Sequence, residues 1–206
     1  MSGTAEQLDR VVSHREPFDR FVALLEDAKR VSRDRLPEPT AFALGTCDDG
    51  QPSVRMLLLK GVDERGFVFY TNYESRKGRA LQANARAAMC FHWQPLELQV
   101  RVEGSVEPVS EEEADAYFAS RARGSQLGAW ASRQSRPIEH AGDLEARVAE
   151  YERRFEGRPV PRPPYWSGFR VLPRRIEFWR GMASRLHQRQ LYSSAGTGWK
   201  VETLYP

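Results

Sequence analysis

The sequence predicts a mainly β domain with peripheral helices, in which strands from both ends of the chain close one barrel and the helices are inserted between them. Three observations carry this prediction. Short apolar runs alternate with turn residues from Thr40 to Val106, helical patterning replaces them from Ser110 to Phe155, and strand patterning returns from Gly168 to Leu204. Neither a repeat nor a low-complexity linker interrupts the pattern, so residues 16–206 are expected to form a single domain behind a flexible polar segment, residues 1–15.

The elements follow in order. A helix begins at Glu16, where Pro17 suits a first turn and Phe18, Phe21, Val22 and Leu25 share one face. The charged, proline-bearing stretch Arg30–Pro39 is a connection. Strands over Thr40–Thr46 and Val54–Leu59 flank the hairpin signal Asp48-Asp49-Gly50, and a turn at Asp63–Gly66 leads to a strand over Phe67–Thr71. Ser75 is placed to cap a short helix over Ser75–Ala85. Strands return at Ala88–Trp93 and Leu96–Val106, where Leu98, Val100 and Val102 alternate with polar residues and Gly104 marks a bulge or a close backbone approach. Ser110 and Glu113 form a capping box for a helix to about Ser120. Two more helices, Ser125–Ala131 and Asp143–Phe155, precede a run of prolines. Gly168–Leu172, Arg175–Trp179, Leu186–Tyr192 and Trp199–Leu204 then read as strands.

Composition excludes several classes. The 206 residues carry 31 basic and 28 acidic side chains, for a formal charge of +3. No run approaches the ~20 apolar residues of a membrane span, and MSGTAEQLDR has no signal-peptide core. Cys47 and Cys90 make no disulfide framework, which suits a reduced, cytoplasmic protein. No metal-ligand spacing, P-loop, GxGxxG or GxSxG occurs. Only four basic residues are lysine (Lys29, Lys60, Lys77, Lys200). Arginine-rich chains suit phosphate or nucleic acid, and codon bias produces the same excess; the near balance of charge disfavours a nucleic-acid surface.

Four segments hold more polar residues than their context needs. In RMLLLK, Arg55 and Lys60 stand five apart and would face opposite sides of a regular strand. In YTNYESRKGRAL, Arg76 and Lys77 occupy the first turn of a helix, where the dipole disfavours cations unless an anion sits there. Tyr117 and Arg121, one helical turn apart, and Ser125 after them could cup a phosphate. In the fourth, Trp179 ends a strand and Arg185, His187 and Arg189 alternate along the next, with His187 the best acid–base candidate. Solvated surface residues would give similar patterns at each place taken singly.

In this order, RMLLLK, FYTNYESRKGRAL, LELQVRVEG, YFASRARGSQLGAW, SRQS, PPYWSGFRV, IEFWRG and RLHQR resemble the pyridoxine (pyridoxamine) 5′-phosphate oxidase family from about Pro39 to Pro206. The resemblance implies an FMN-binding split β-barrel, working as a homodimer with FMN at the interface. Arg55, Met56, Leu57, Leu58, Leu59, Lys60, Tyr70, Thr71, Arg76, Lys77 and Gln99 would line the FMN site from one subunit. Gln134, Ser135, Trp179 and Arg189 would complete it, largely from the other. Lys60, Tyr117, Arg121 and Ser125 would hold the substrate phosphate, and Arg185, Leu186 and His187 would meet its pyridine ring, with Arg185 and His187 catalytic.

The implied reaction oxidises pyridoxine or pyridoxamine 5′-phosphate to pyridoxal 5′-phosphate, with molecular oxygen as acceptor and hydrogen peroxide released. The resemblance implies neither a metal nor a nucleic-acid or membrane partner. Three departures stand out: Gln188 replaces the usual acidic residue of RLHDR, Ser167 replaces a glycine, and residues 1–15 lack a clear counterpart of the family's N-terminal Arg/Tyr segment, which folds over the substrate. They leave room for another ring substrate, such as a phenazine precursor, or for a flavin-binding barrel without enzymatic activity.

Overall fold

The computed structural model describes residues 10–206. Its strands are β1 (Arg10–Ser13), β2 (Ala41–Asp48), β3 (Gln51–Leu58), β4 (Gly61–Asp63), β5 (Gly66–Asn72), β6 (Arg86–Trp93), β7 (Leu98–Pro108), β8 (Trp166–Arg180), β9 (Gln188–Ala195) and β10 (Gly198–Thr203). The helices are α1 (Glu16–Arg30), α2 (Arg76–Ala83), α3 (Glu111–Ser120), α4 (Arg123–Ala131) and α5 (Asp143–Arg154). All strand pairs are antiparallel, in the order β1-β10-β9-β8-β7-β6-β2-β3, with β4 and β5 branching from β8. This architecture is the split-barrel class expected from the sequence.

Alternation explains the core. In β2, Phe42 and Leu44 point inward between half-exposed neighbours; in β6, Met89, Phe91 and Trp93 do so. The apolar stripe of α1 covers one side of this core, where Phe21 meets Phe67 and Phe91 edge-on at 4.9 Å. Burying each such ring contributes about 1.5–3 kcal/mol.

Local signals in the sequence agree with the local structure. Ser75 Oγ accepts the Gly78 N–H at 3.2 Å, and Ser110 with Glu113 forms the expected capping box. Gly104 serves both expected purposes. The β7–β8 register shifts beside it, leaving Arg174 as the extra residue, and a Cβ on Gly104 would stand 2.0 Å from the Leu172 carbonyl oxygen.

Three expectations need correction. Arg10–Ser13 is a strand on the edge of β10, with Val12 packed against the core, although residues 1–15 read as a loose polar segment. Its cause is the row of free backbone groups on β10, which pairs a passing chain with little regard to side-chain pattern. Residues 1–9 of that segment lie outside the described residues. Second, β8 runs without a break through Pro173, because the bulge absorbs the missing N–H. Third, β9 starts at Gln188, not Leu186, because Ser184 and Arg185 adopt left-handed backbone (φ 57° and 61°) and turn the chain first.

Replacing Gly104 with Ala is expected to lower stability by at least about 2 kcal/mol, read as a lower urea midpoint, because neither backbone can retreat. An unchanged midpoint would show that the close approach is not obligatory.

Candidate active site

A cavity of about 630 Å³ opens where β3, the end of β5, the start of α2 and the end of α3 converge. Its lining includes five cations, Arg55, Lys60, Arg76, Lys77 and Arg121, and no carboxylate. Met56, Leu57 and Leu58 form one wall; Tyr70, Thr71, Tyr117, Gln134, Ser135 and Trp166 contribute others. Arg55 and Lys60 share this cavity, contrary to the opposite-face expectation, because β3 ends at Leu58 and the chain turns to give the Lys60 N–H to Val68. Leu59 turns into the core and is only 5% exposed, so its side chain does not join the site.

Each cation has a distinct support. Arg55 spans its own strand pair, donating to the Leu44 carbonyl, Thr46 Oγ1 and Ser53 Oγ at 3.1, 2.8 and 3.0 Å. Lys77 Nζ donates to Thr71 Oγ1 at 3.1 Å and Gln134 Oε1 at 2.8 Å, all neutral-group contacts. Burial and then the neighbouring Arg55 push its ammonium down to about 8. Gly78 lets α2 press against the end of β5, since a Cβ there would stand 2.4 Å from the Tyr73 carbonyl oxygen. That approach brings the first turn of α2, with Arg76 and Lys77, to the cavity.

Tyr70 stacks on Tyr117 at 4.0 Å and on Trp166 at 5.4 Å, and the Arg121 guanidinium lies 4.6 Å over the Trp166 ring. Arg121 is not in α3, as its spacing suggested, but is the extended residue that ends it. One buried Nη1 of Arg121 has no hydrogen-bond partner, and burial lowers its pKa. A buried guanidinium N–H without an acceptor is costly, so the arrangement fits an incoming anion. Ser125 sits exposed in the first turn of α4, outside the cavity lining, because the chain turns away after Arg121.

A second set of predicted residues gathers elsewhere. Gln99, Trp179 and Arg189 are directly opposite one another across β7, β8 and β9. With His187 they line another cavity, of about 380 Å³. Gln99 therefore groups with Trp179 and not with Arg55, while Gln134 and Ser135 group with Lys77 in the same chain, a different grouping from the one the resemblance implied. The reason for the latter is the segment after α4, which lies against α2 through the Lys77–Gln134 bond.

His187 packs on Trp179 at 4.7 Å, and its Nδ1 accepts the Met182 N–H at 3.2 Å. Its Nε2 therefore carries the proton in the neutral ring. Arg185 and Leu186 are exposed in the turn before β9 and line neither cavity, so the predicted alternation of Arg185, His187 and Arg189 on one strand face does not hold. Gln188 lines the second cavity.

Sequence reasoning missed two residues here. Glu177, 6% exposed, accepts from Arg189 Nε at 2.7 Å and Arg101 Nη1 at 3.3 Å, which raises the Arg189 pKa. Its one signal was a carboxylate between Ile176 and Phe178. Arg20 of α1 reaches Gln190 Oε1 at 2.6 Å and lies over Phe178, a contact that spacing along α1 does not reveal. Among the described residues, no cluster of His, Cys, Asp and Glu could hold a metal, and no helix is long and apolar enough to cross a membrane.

Residues 28–155 match the family described as Pyridoxamine 5′-phosphate oxidase, and residues 166–206 match the Pyridoxine 5′-phosphate oxidase C-terminal dimerisation region. A pyridoxine/pyridoxamine 5′-phosphate oxidase of Myxococcus xanthus is 57% identical over 200 residues, covering 97% of this chain and 96% of the relative. One from Rubrobacter xylanophilus is 59% identical over 192 residues, covering 93% and 87%. Among solved structures, PhzG from Burkholderia lata, in complex with tetrahydrophenazine-1-carboxylic acid, is 33% identical with a TM-score of 0.82, covering 93% and 91%. A pyridoxamine 5′-phosphate oxidase-related, FMN binding protein from Nostoc punctiforme shares the fold at 17% identity and a TM-score of 0.71, covering 91% and 96%.

Lys77 gives the first cavity a pH signature. Below about pH 8 it is charged and ready for an anion. Above that, binding a dianion must also take up a proton, so affinity falls by up to about tenfold per pH unit. Titration with inorganic phosphate between pH 7 and 9.5 should show this decline in the native protein and a flatter profile in Lys77→Arg, whose guanidinium stays charged. Identical profiles would remove Lys77 from the anion site.

Proposed function

The chain belongs to the pyridoxamine 5′-phosphate oxidase family and is an oxidase of pyridoxine and pyridoxamine 5′-phosphates, and we propose that it works as a homodimer with FMN held between its two chains. The observation that carries the cofactor and substrate assignment is a cavity with five cations and no carboxylate, in which a buried Arg121 N–H lacks an acceptor. Two phosphate-bearing ligands account for that charge. Arg55, Arg76 and Lys77 suit the FMN phosphate beside the start of α2. Lys60, Tyr117 and Arg121 suit the substrate phosphate, with the Arg121 fork supplying the unused donor.

FMN, when held by Arg55, Arg76 and Lys77, would supply the redox chemistry, a hydride acceptor for the C4′ carbon with oxygen as the final acceptor and hydrogen peroxide as the product. The protein's contribution is placement. Met56, Leu57 and Leu58 give one wall an apolar lining, and the Tyr70–Tyr117–Trp166 stack fixes the phosphate-binding end. From the second cavity, His187 offers an Nε2–H donor held by its Met182 bond and its packing on Trp179, while Glu177 holds Arg189. In this reading the partner's second set completes the first cavity. Exposed apolar residues flank both sets, Val54 and Met56 at the first and Met182 and Leu186 at the second, which suits burial against another chain. Dimer formation would also bring Arg185 and Leu186, exposed in one chain, toward the substrate ring.

A ring oxidase acting on a phenazine-type acid is the second reading, motivated by the likeness to the Burkholderia protein. It leaves the phosphate subsite without its natural ligand. The purified protein is expected to be yellow, to consume oxygen with pyridoxine or pyridoxamine 5′-phosphate and to release peroxide. A colourless protein would count against FMN; a yellow one that oxidises only a reduced phenazine acid would favour the second reading. His187→Ala and Arg185→Ala should each lower kcat by at least about tenfold while retaining FMN. Full activity in both variants would remove them from catalysis.

A further inference from the structure

We propose that Arg170, acting through Glu113, is a positioning residue for the substrate-phosphate subsite. The proposal rests on the oxidase reading above. Arg170 lies on β8 with its side chain 4% exposed. Its guanidinium donates to Asp63 Oδ1 of β4 at 3.0 Å and to Glu113 Oε1 of α3 at 2.9 Å. Burying a guanidinium costs several kcal/mol unless it is well paired, and an apolar residue of similar size is often at least as stabilising at such a place. A forked bond between two elements has a use that an apolar contact lacks: it fixes their relative position.

The helix so held is α3, which buries only Ala114 and Phe118. It is otherwise held by ion pairs, from Arg162 to Glu111 and Asp115 and from Arg65 and Arg170 to Glu113; of the three arginines, Arg170 is the most buried. Glu113 also closes the capping box, and its carbonyl accepts the Tyr70 hydroxyl at 3.4 Å. One turn later comes Tyr117, stacked on Tyr70, and where α3 ends comes Arg121. Both phosphate-binding side chains thus take their places from the seat of α3, and the Arg170–Glu113 bond ties that seat to the barrel wall.

Glu113→Gln preserves a capping box but loses both charged bonds of Glu113, the one from Arg170 and one from Arg65 at 3.0 Å, so Arg65→Gln is the control and should leave KM within about twofold. In the FMN-loaded enzyme, the expected result of Glu113→Gln is a rise of about tenfold in KM for pyridoxine 5′-phosphate and in Kd for pyridoxal 5′-phosphate. The kcat should stay within about twofold, with unchanged FMN retention and unchanged affinity for pyridoxal, which lacks the phosphate. Arg170→Lys, which keeps the charge, should fall between Glu113→Gln and the native enzyme. If the native enzyme turns over neither phosphate ester, the oxidase reading fails. If it does turn over, and Glu113→Gln leaves KM and Kd unaltered or weakens pyridoxal equally, the positioning role is overturned. Failure of both Glu113→Gln and Arg170→Lys to fold would likewise overturn it, placing the bond in stability alone.

Discussion

The rest of the structure depends on the pairing of one strand, β8, with three others. Its first half bonds to β5 and β7, and its second half bonds to β7 and β9. The bulge at Arg174, opposite Gly104, lets a single strand serve both regions despite Pro173. At about 3.3 Å per residue its 15 residues extend roughly 50 Å, less for curvature. Trp166 opens it beside the cationic cavity, Arg170 grips α3, and Glu177 and Trp179 serve the second cavity near its end. The strand therefore supports both sets of site residues and keeps them apart within one chain. In the proposed dimer a second chain would join them, and residues 166–206 match a region described by dimerisation.

Charge is sorted by the same framework. Many arginines away from the first cavity are committed to carboxylates: Arg162 to Glu111 and Asp115, Arg170 to Asp63 and Glu113, Arg189 to Glu177. In the first cavity, Arg55 and Lys77 use neutral oxygens, and Arg121 leaves a donor free. The near-neutral total thus conceals a paired framework and a local excess of positive charge. That excess raises the local concentration of small anions without creating the broad basic surface that nucleic acid needs.

Local chemistry was legible in the sequence. Ser75, Ser110 with Glu113, and Gly104 act within a turn or against the adjacent strand, where spacing and residue type carry the information. The cations of RMLLLK and ESRK, grouped in the sequence only by the family resemblance, line one cavity, although strand spacing placed Arg55 and Lys60 on opposite sides. What stayed hidden depends on distant partners. Arg170 meets residues 57 and 107 positions away, and Glu177 takes its role from Arg101 and Arg189. Strand periodicity placed Arg185 on a face it does not occupy, because consecutive left-handed residues at Ser184 and Arg185 have no glycine to announce them. The edge pairing of β1 left no trace for a similar reason: it is made by backbone groups that every residue carries.

The central claim is that the two sets combine across chains, and subunit complementation tests it most directly. Lys77→Ala damages the first set and His187→Ala the second, so each homodimer carries the same lesion in both of its sites. If the sites are shared, a mixed dimer has one doubly damaged site and one intact site. Unfolding and refolding an equal mixture, with random pairing, should then restore about a quarter of the native specific activity above the weak sum of the two variants. Activity no higher than that sum, in a mixture shown to contain mixed dimers, would mean that each chain builds its site alone.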